Sequence, residues 1–135
     1  MLLDGVGMSM YVHSDFVSYA VSAQEAATHG TLSIIGRMDA SLMMTVAYSA
    51  MTTASGKQIT TLEELAAYYM NAGADVQMRT VNGLPAVTYI LPAGEMFTSG
   101  LCLISTDGMV LNFCAASFNA DDCLLSYMLL LSITP

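Results

Sequence analysis

Residues 75–91, DVQMRTVNGLPAVTYIL, decide the fold. Two runs suited to extended backbone flank Asn82-Gly83. Both turn residues tolerate the positive φ of a type I′ turn, whose twist matches that of paired strands. The stretch therefore reads as one hairpin, Asp75 to Val81 and Leu84 to Leu91. Pro85 falls near the start of its second strand, where a missing N–H is tolerated.

Two more hairpin signals follow. Pro92-Ala93-Gly94-Glu95 leads into Met96 to Ser105, and Asp107-Gly108 leads into Met109 to Ala116. The whole segment is an antiparallel meander. Gly100, inside a strand, marks a bulge or a close backbone approach.

A helix precedes the meander. Thr61 and Glu64 form a Ser/Thr-x-x-Glu capping box, in which each side chain serves the other's orphan backbone donor. Losing the Thr61 cap is expected to cost about 1 kcal/mol. Leu62, Leu65, Ala66, Tyr69 and Met70 recur at helical spacing and define one apolar face. Glu63 and Glu64 complement the helix dipole, and Gly73 supplies a left-handed cap.

Farther upstream, Met8, Met10 and Val12 alternate with Ser9, Tyr11 and His13, the period of a half-buried strand. Phe16 to Val21 is a second short strand. Thr31 to Gly36 and Ser41 to Ser49 form an antiparallel pair across Arg37-Met38-Asp39-Ala40. Thr52 to Thr60 is a loop leading into the helix.

The chain closes with a helix from about Ala120 to Ser132, with Asn119 as its N-cap and Asp121 and Asp122 in its first turn. Its residues are apolar nearly all round, and such a helix is buried on more than one side. One sheet face covers only about half of it, which makes Leu124, Leu125, Tyr127, Met128, Leu129 and Leu131 the candidate interface. A homodimer is the simplest partner arrangement, since two-fold dimers are the commonest oligomers.

Composition bounds the function. The 135 residues fit one domain, 1–135. Eleven acids against three scattered bases, Arg37, Lys57 and Arg79, argue against nucleic acid, whose affinity comes mainly from Lys and Arg. Only 10% of residues are charged, against about 25% in an average domain. Part of the surface is therefore expected to be covered by a partner. The longest apolar run, Leu124 to Ile133, is about half the ~20 residues of a spanning helix, so no integral membrane segment is expected. The start, Met1-Leu2-Leu3-Asp4, does not read as a signal peptide, and the chain reads equally as a mature fragment after removal of one.

The order of strands, capped helix, meander and closing helix resembles the PsbP-like family, whose fold a Ran-binding nuclear import factor shares. The residues that carry the resemblance are Thr61-Leu62-Glu63-Glu64-Leu65, Val81-Asn82-Gly83-Leu84-Pro85-Ala86-Val87, Gly108-Met109-Val110-Leu111-Asn112-Phe113 and the closing Ser132-Ile133. Tyr11 to Phe16 is similar to an early family segment, with His13 where proline is usual. The resemblance implies an α+β fold, an α/β/α sandwich around an antiparallel sheet. It implies a binding or assembly role like that of small bacterial secreted proteins and lipoproteins, and no particular activity.

The chemistry-bearing residues read as structural. His13 and His29 are the available bases, and neither neighbours a cysteine in sequence. Cys102, Cys114 and Cys123 sit in apolar contexts as small hydrophobes, with one disulfide plus a free thiol as the alternative. Met8, Met10 and His13 have the donor types of a soft-metal site, but the strand period points His13 away from the methionines. Asp121-Asp122 and Glu63-Glu64 read as helix-start charge. Tyr68, Tyr69, Tyr89 and Tyr127 read as a groove lining or as core. No catalytic residue, cofactor or metal is therefore assigned. The expected function is a non-enzymatic binding or assembly module that contacts another protein or itself. The alternatives are a carrier of small apolar ligands in a cleft between sheet and helix, and an enzyme of unknown type.

Overall fold

The Asn82-Gly83 turn forms as its chemistry requires. Both residues have positive φ, 49° and 85°, and they join β6 (Asp75–Val81) to β7 (Leu84–Ala93) with Val81 opposite Leu84. The computed structural model describes Leu3 and residues 7–135. β8 (Met96–Ile104) and β9 (Val110–Ser117) complete the meander in continuous register. The remaining elements are β1 (Phe16–Tyr19), α1 (Ala23–His29), β2 (Thr31–Arg37), β3 (Met43–Ser49), β4 (Met51–Thr52), β5 (Gln58–Ile59), α2 (Leu62–Asn71) and α3 (Ala120–Leu130).

The fold is α+β. Seven strands form one sheet in the order β1-β2-β3-β9-β8-β7-β6, every ladder antiparallel. β4 and β5 form a separate small hairpin. Because side chains alternate across a strand, each central strand feeds two cores. Leu101, Leu103, Phe113 and Ala115 pack with Leu129 and Leu130 of α3. Val87, Tyr89, Cys102 and Val110 pack with Leu65, Ala66 and Tyr69 of α2. The two longer helices thus cover opposite faces of the sheet.

Gly100 is not a bulge, since its ladder is unbroken, and what approaches it is a side chain and not a backbone. A Cβ at Gly100 would overlap the ring of Tyr89 on the neighbouring strand. That gap lets Tyr89 lie flat and stack on Tyr69 of α2, centroids 3.9 Å apart. Both capped helices start where expected. Thr61 accepts from the Glu64 N–H and Asn119 from the Asp122 N–H.

Several expectations need correction. Met8 to His13 is not a strand. Its one β-bridge among the described residues joins Ser9 with Thr134, the Tyr11 N–H reaches the Ser132 hydroxyl, and Met10 is buried as the alternation required. The helix α1 was not anticipated, and His29 ends it instead of lying in a loop. The stretch read as a loop holds the β4–β5 hairpin and buries Ile59 completely. Met70 leaves the apolar face of α2 and is 58% exposed. The opening Met1-Leu2-Leu3-Asp4 lies outside the described residues except for Leu3, which is buried in the core beneath α3.

Candidate functional site

Helical geometry sorts the residues of α3. Positions separated by three or four residues share a face. Cys123, Ser126, Leu129 and Leu130 turn inward and are buried. Leu124 and Met128, four apart, turn outward with 58% and 61% exposure. Leu125, Tyr127 and Leu131 flank the helix half-buried. Of the six candidate interface residues, Leu129 therefore belongs to the core, and the fully outward pair is Leu124 with Met128.

The inward face is unusually polar for a core. Ser126 is completely buried, and its hydroxyl shares a 2.6 Å hydrogen bond with Ser99 of β8 while donating to the Cys123 carbonyl at 2.9 Å. These small residues let α3 lie close on the sheet. Leu124 and Met128 are left on the solvent side.

Two exposed aromatic residues lie close in sequence or by hydrogen bonding to the ends of α3. Phe118, just before the Asn119 cap, is 67% exposed. Tyr11 is also exposed, and its backbone N–H reaches the Ser132 hydroxyl at 2.9 Å, placing it beside the C-terminal end of α3. The available signal for Phe118 was its position between the last strand and the cap.

Charge anchors the helix from its first turn. Arg37 makes a bidentate pair with Asp122 at 2.8 and 3.0 Å. The guanidinium hydrogen bonds hold the Asp122 carboxyl below its usual range. Tyr127 shares a 2.9 Å hydrogen bond with Thr88, and Arg79 lies over its ring. These contacts fix the orientation of α3, and therefore of its exposed side chains.

The tyrosines do not gather into one groove. Tyr69 and Tyr89 are buried, Tyr127 is half-buried and Tyr68 is exposed. The space between α2 and the sheet is filled by the Tyr69–Tyr89 stack and Cys102. Tyr89 OH and Cys102 Sγ both donate to Asn112 Oδ1 at 3.2 Å. Burial pushes the Cys102 thiol up to about 12, which keeps it neutral and unreactive at neutral pH. All three cysteines are free thiols. An open groove of about 680 Å³ lies instead on the outer side of α2, between Ala67, Tyr68 and Ala72 and the loop Thr53, Ala54, Ser55.

His13 meets Phe16 edge-on at 6.1 Å, and His29 is the last residue of α1, which Gly30 caps. Among the described residues no group of three or more His, Cys, Asp or Glu converges as a metal site would require. Asp121 is exposed at the helix start, beside the paired Asp122. No helix of the described residues is long and apolar enough to cross a membrane.

Compared with models of known protein families and with curated protein sequences, the chain matches none.

Proposed function

We propose that this chain is a non-enzymatic binding or assembly module acting through protein–protein contacts, with the outer face of α3 as its contact surface. One observation carries the reading. A helix that buries a serine completely leaves Leu124 and Met128 more than half exposed. Exposing a large apolar side chain forgoes about 1.5–3 kcal/mol, and an exposed apolar surface of this kind marks a contact site. The small number of charges on the chain fits the same reading.

The architecture fits the PsbP-like family, which we propose as its fold relationship: helices on both faces of an antiparallel sheet, and the family-like Asn82-Gly83 hairpin. Members of that family serve mostly as binding or assembly proteins. The resemblance supports a contact role and adds nothing about the partner's identity.

Light scattering across the micromolar range tests this reading. Wild type should exceed the monomer mass. Leu124→Glu or Met128→Glu should lower that mass with far-UV circular dichroism unchanged, whereas Leu129→Glu should unfold the chain. A mass curve unaffected by the two outward substitutions would remove α3 as the contact surface.

The groove beside Tyr68 favours a second reading, a carrier of small apolar ligands. It differs from the cleft first expected, because it lies outside α2 and not between helix and sheet. Saturable binding of an apolar dye, abolished by Ala67→Glu, would support it. Binding indifferent to that change would not.

A further inference from the structure

We infer that β6 is a dimerisation edge, on which two copies of the chain pair antiparallel across a two-fold axis through Gln77, placing Asp75 of each copy opposite Arg79 of the other. This rests on the reading that the chain works through protein contacts, and it names one partner as a second copy.

The seven-stranded sheet ends in β1 on one side and β6 on the other. β1 is a four-residue edge, too short to template much pairing. β6 is seven residues long, in unbroken register with β7 from Asp75 to Val81. It carries no proline, lysine or bulge, and of the devices that blunt an edge it has only the charges of Asp75 and Arg79. Its exposed row of backbone groups is a template for another strand.

The hairpin fixes which groups face outward. In a two-residue hairpin the pair flanking the turn, Val81 and Leu84, is hydrogen-bonded, and bonded and non-bonded pairs then alternate. Val81, Arg79, Gln77 and Asp75 therefore bond β7. Val76, Met78 and Thr80 direct their N–H and C=O groups to the free edge. Pro85, opposite Thr80, sits at a non-bonded position, as its missing N–H demands.

Charge then selects the register. Of the three cations, Arg37 pairs with Asp122 and Lys57 with Glu64. Arg79 has no carboxylate within ion-pair distance among the described residues. Its Nη2 bonds only the neutral Gln77, and its Nε is buried without a hydrogen-bond partner. Asp75, four residues away on the same face of β6, likewise lacks a cation. A two-fold axis at Gln77 brings each Asp75 opposite an Arg79 in non-bonded pairs, where side chains lie closest. The same axis makes Val76 and Met78 hydrogen-bonded partners on the other face. An axis at Arg79 would oppose two arginines, one at Asp75 two carboxylates, and one at Met78 would set Asp75 against the buried Val81. Only the axis at Gln77 satisfies every charge on the strand.

The two surfaces are separable at Leu124, because α3 packs mainly over β8 and β9 and meets β6 where Arg79 lies over Tyr127. The test is sedimentation equilibrium in the Leu124→Glu background, where the α3 contact is removed. The expected species is a dimer. Asp75→Arg or Arg79→Asp alone should raise its dissociation constant about tenfold or more, since each turns two attractive cross-strand pairs repulsive. The double reversal should restore it to within about threefold. Met78→Pro, which removes an outward N–H and no β7 bond, should abolish the dimer while the circular dichroism spectrum stays folded. This arm stands even if a charge reversal disturbs Arg79's packing on Tyr127. A monomeric Leu124→Glu protein, single reversals that associate as before, a double reversal that stays apart, or a dimer surviving Met78→Pro would each overturn the proposal. A mass identical for wild type and Leu124→Glu would instead count against the α3 surface alone.

Discussion

The two longer helices cover opposite faces of one sheet and are built by opposite rules. α2 buries Leu65, Ala66 and Tyr69, and its acidic residues face water or the exposed Lys57. α3 buries Cys123 and Ser126 beside Leu129 and Leu130, and leaves Leu124 and Met128 outside. Both helices leave apolar side chains outside, Met70 and Tyr68 on α2 and Leu124 and Met128 on α3. The difference lies in what each buries: α2 gives the core apolar and aromatic side chains, whereas α3 fills inward positions with a cysteine and a serine.

Truncating leucines breaks that comparison most directly. Leu65→Ala and Leu130→Ala each remove a side chain at most 1% exposed and should cost about 2–5 kcal/mol in urea denaturation. Leu124→Ala should stay within about 0.5 kcal/mol of wild type for the monomer. An equal loss at Leu124 would mean that the outer face is part of the core.

The face beneath α2 also has a packing point without a counterpart under α3. Gly100→Ala places a methyl group where the Tyr89 ring lies. The ring must leave its stack on Tyr69, at a cost of about 1–3 kcal/mol for overpacking. Urea denaturation of Gly100→Ala beside Ser99→Ala, its neighbour on the α3 side, measures the asymmetry. Equal small effects would show that Tyr89 yields freely.

How much of this was legible depended on how local its cause was. The Asn82-Gly83 hairpin and the Thr61 and Asn119 caps lie in a few adjacent residues, and each formed where read. α1 carries the same Ser/Thr-x-x-Glu signature at Ser22 and Glu25, with the Ser22 hydroxyl accepting from the Glu25 N–H at 3.1 Å. It escaped notice because it buries no residue, so no apolar period accompanied the cap. Met8 to Val12 shows the converse. Alternation records one-sided burial, and it arose here without a ladder. On α3, composition announced surplus apolar surface but could not orient it. The orientation comes from Ser99, Thr88 and Arg37, partners 27, 39 and 85 residues distant. The β6 edge had the same difficulty, since edge position is a property of strand order.

The acid limb of stability gives the smallest contrast. The Arg37 hydrogen bonds lower the folded pKa of Asp122. A lowered carboxylate contributes stability that is present above its unfolded pKa, about 3.9, and lost as pH falls through the folded value. Thermal melts from about pH 6 down to about pH 3 should therefore converge for wild type and Asp122→Asn. Glu64, also lowered by its lysine and Thr61 contacts, pairs with a Lys57 that is 73% exposed. Its replacement by Gln should change the same profile much less. A larger effect at Glu64 would invert the ranking of the two helix starts.

Light scattering of wild type beside Leu124→Glu with Met128→Glu decides whether the outer face of α3 is a contact surface. The wild-type mass should rise above the monomer through the micromolar range, and the folded double variant should have a lower mass at every concentration. Superimposable curves for the two proteins, or a wild type that stays monomeric throughout, would contradict that role for α3.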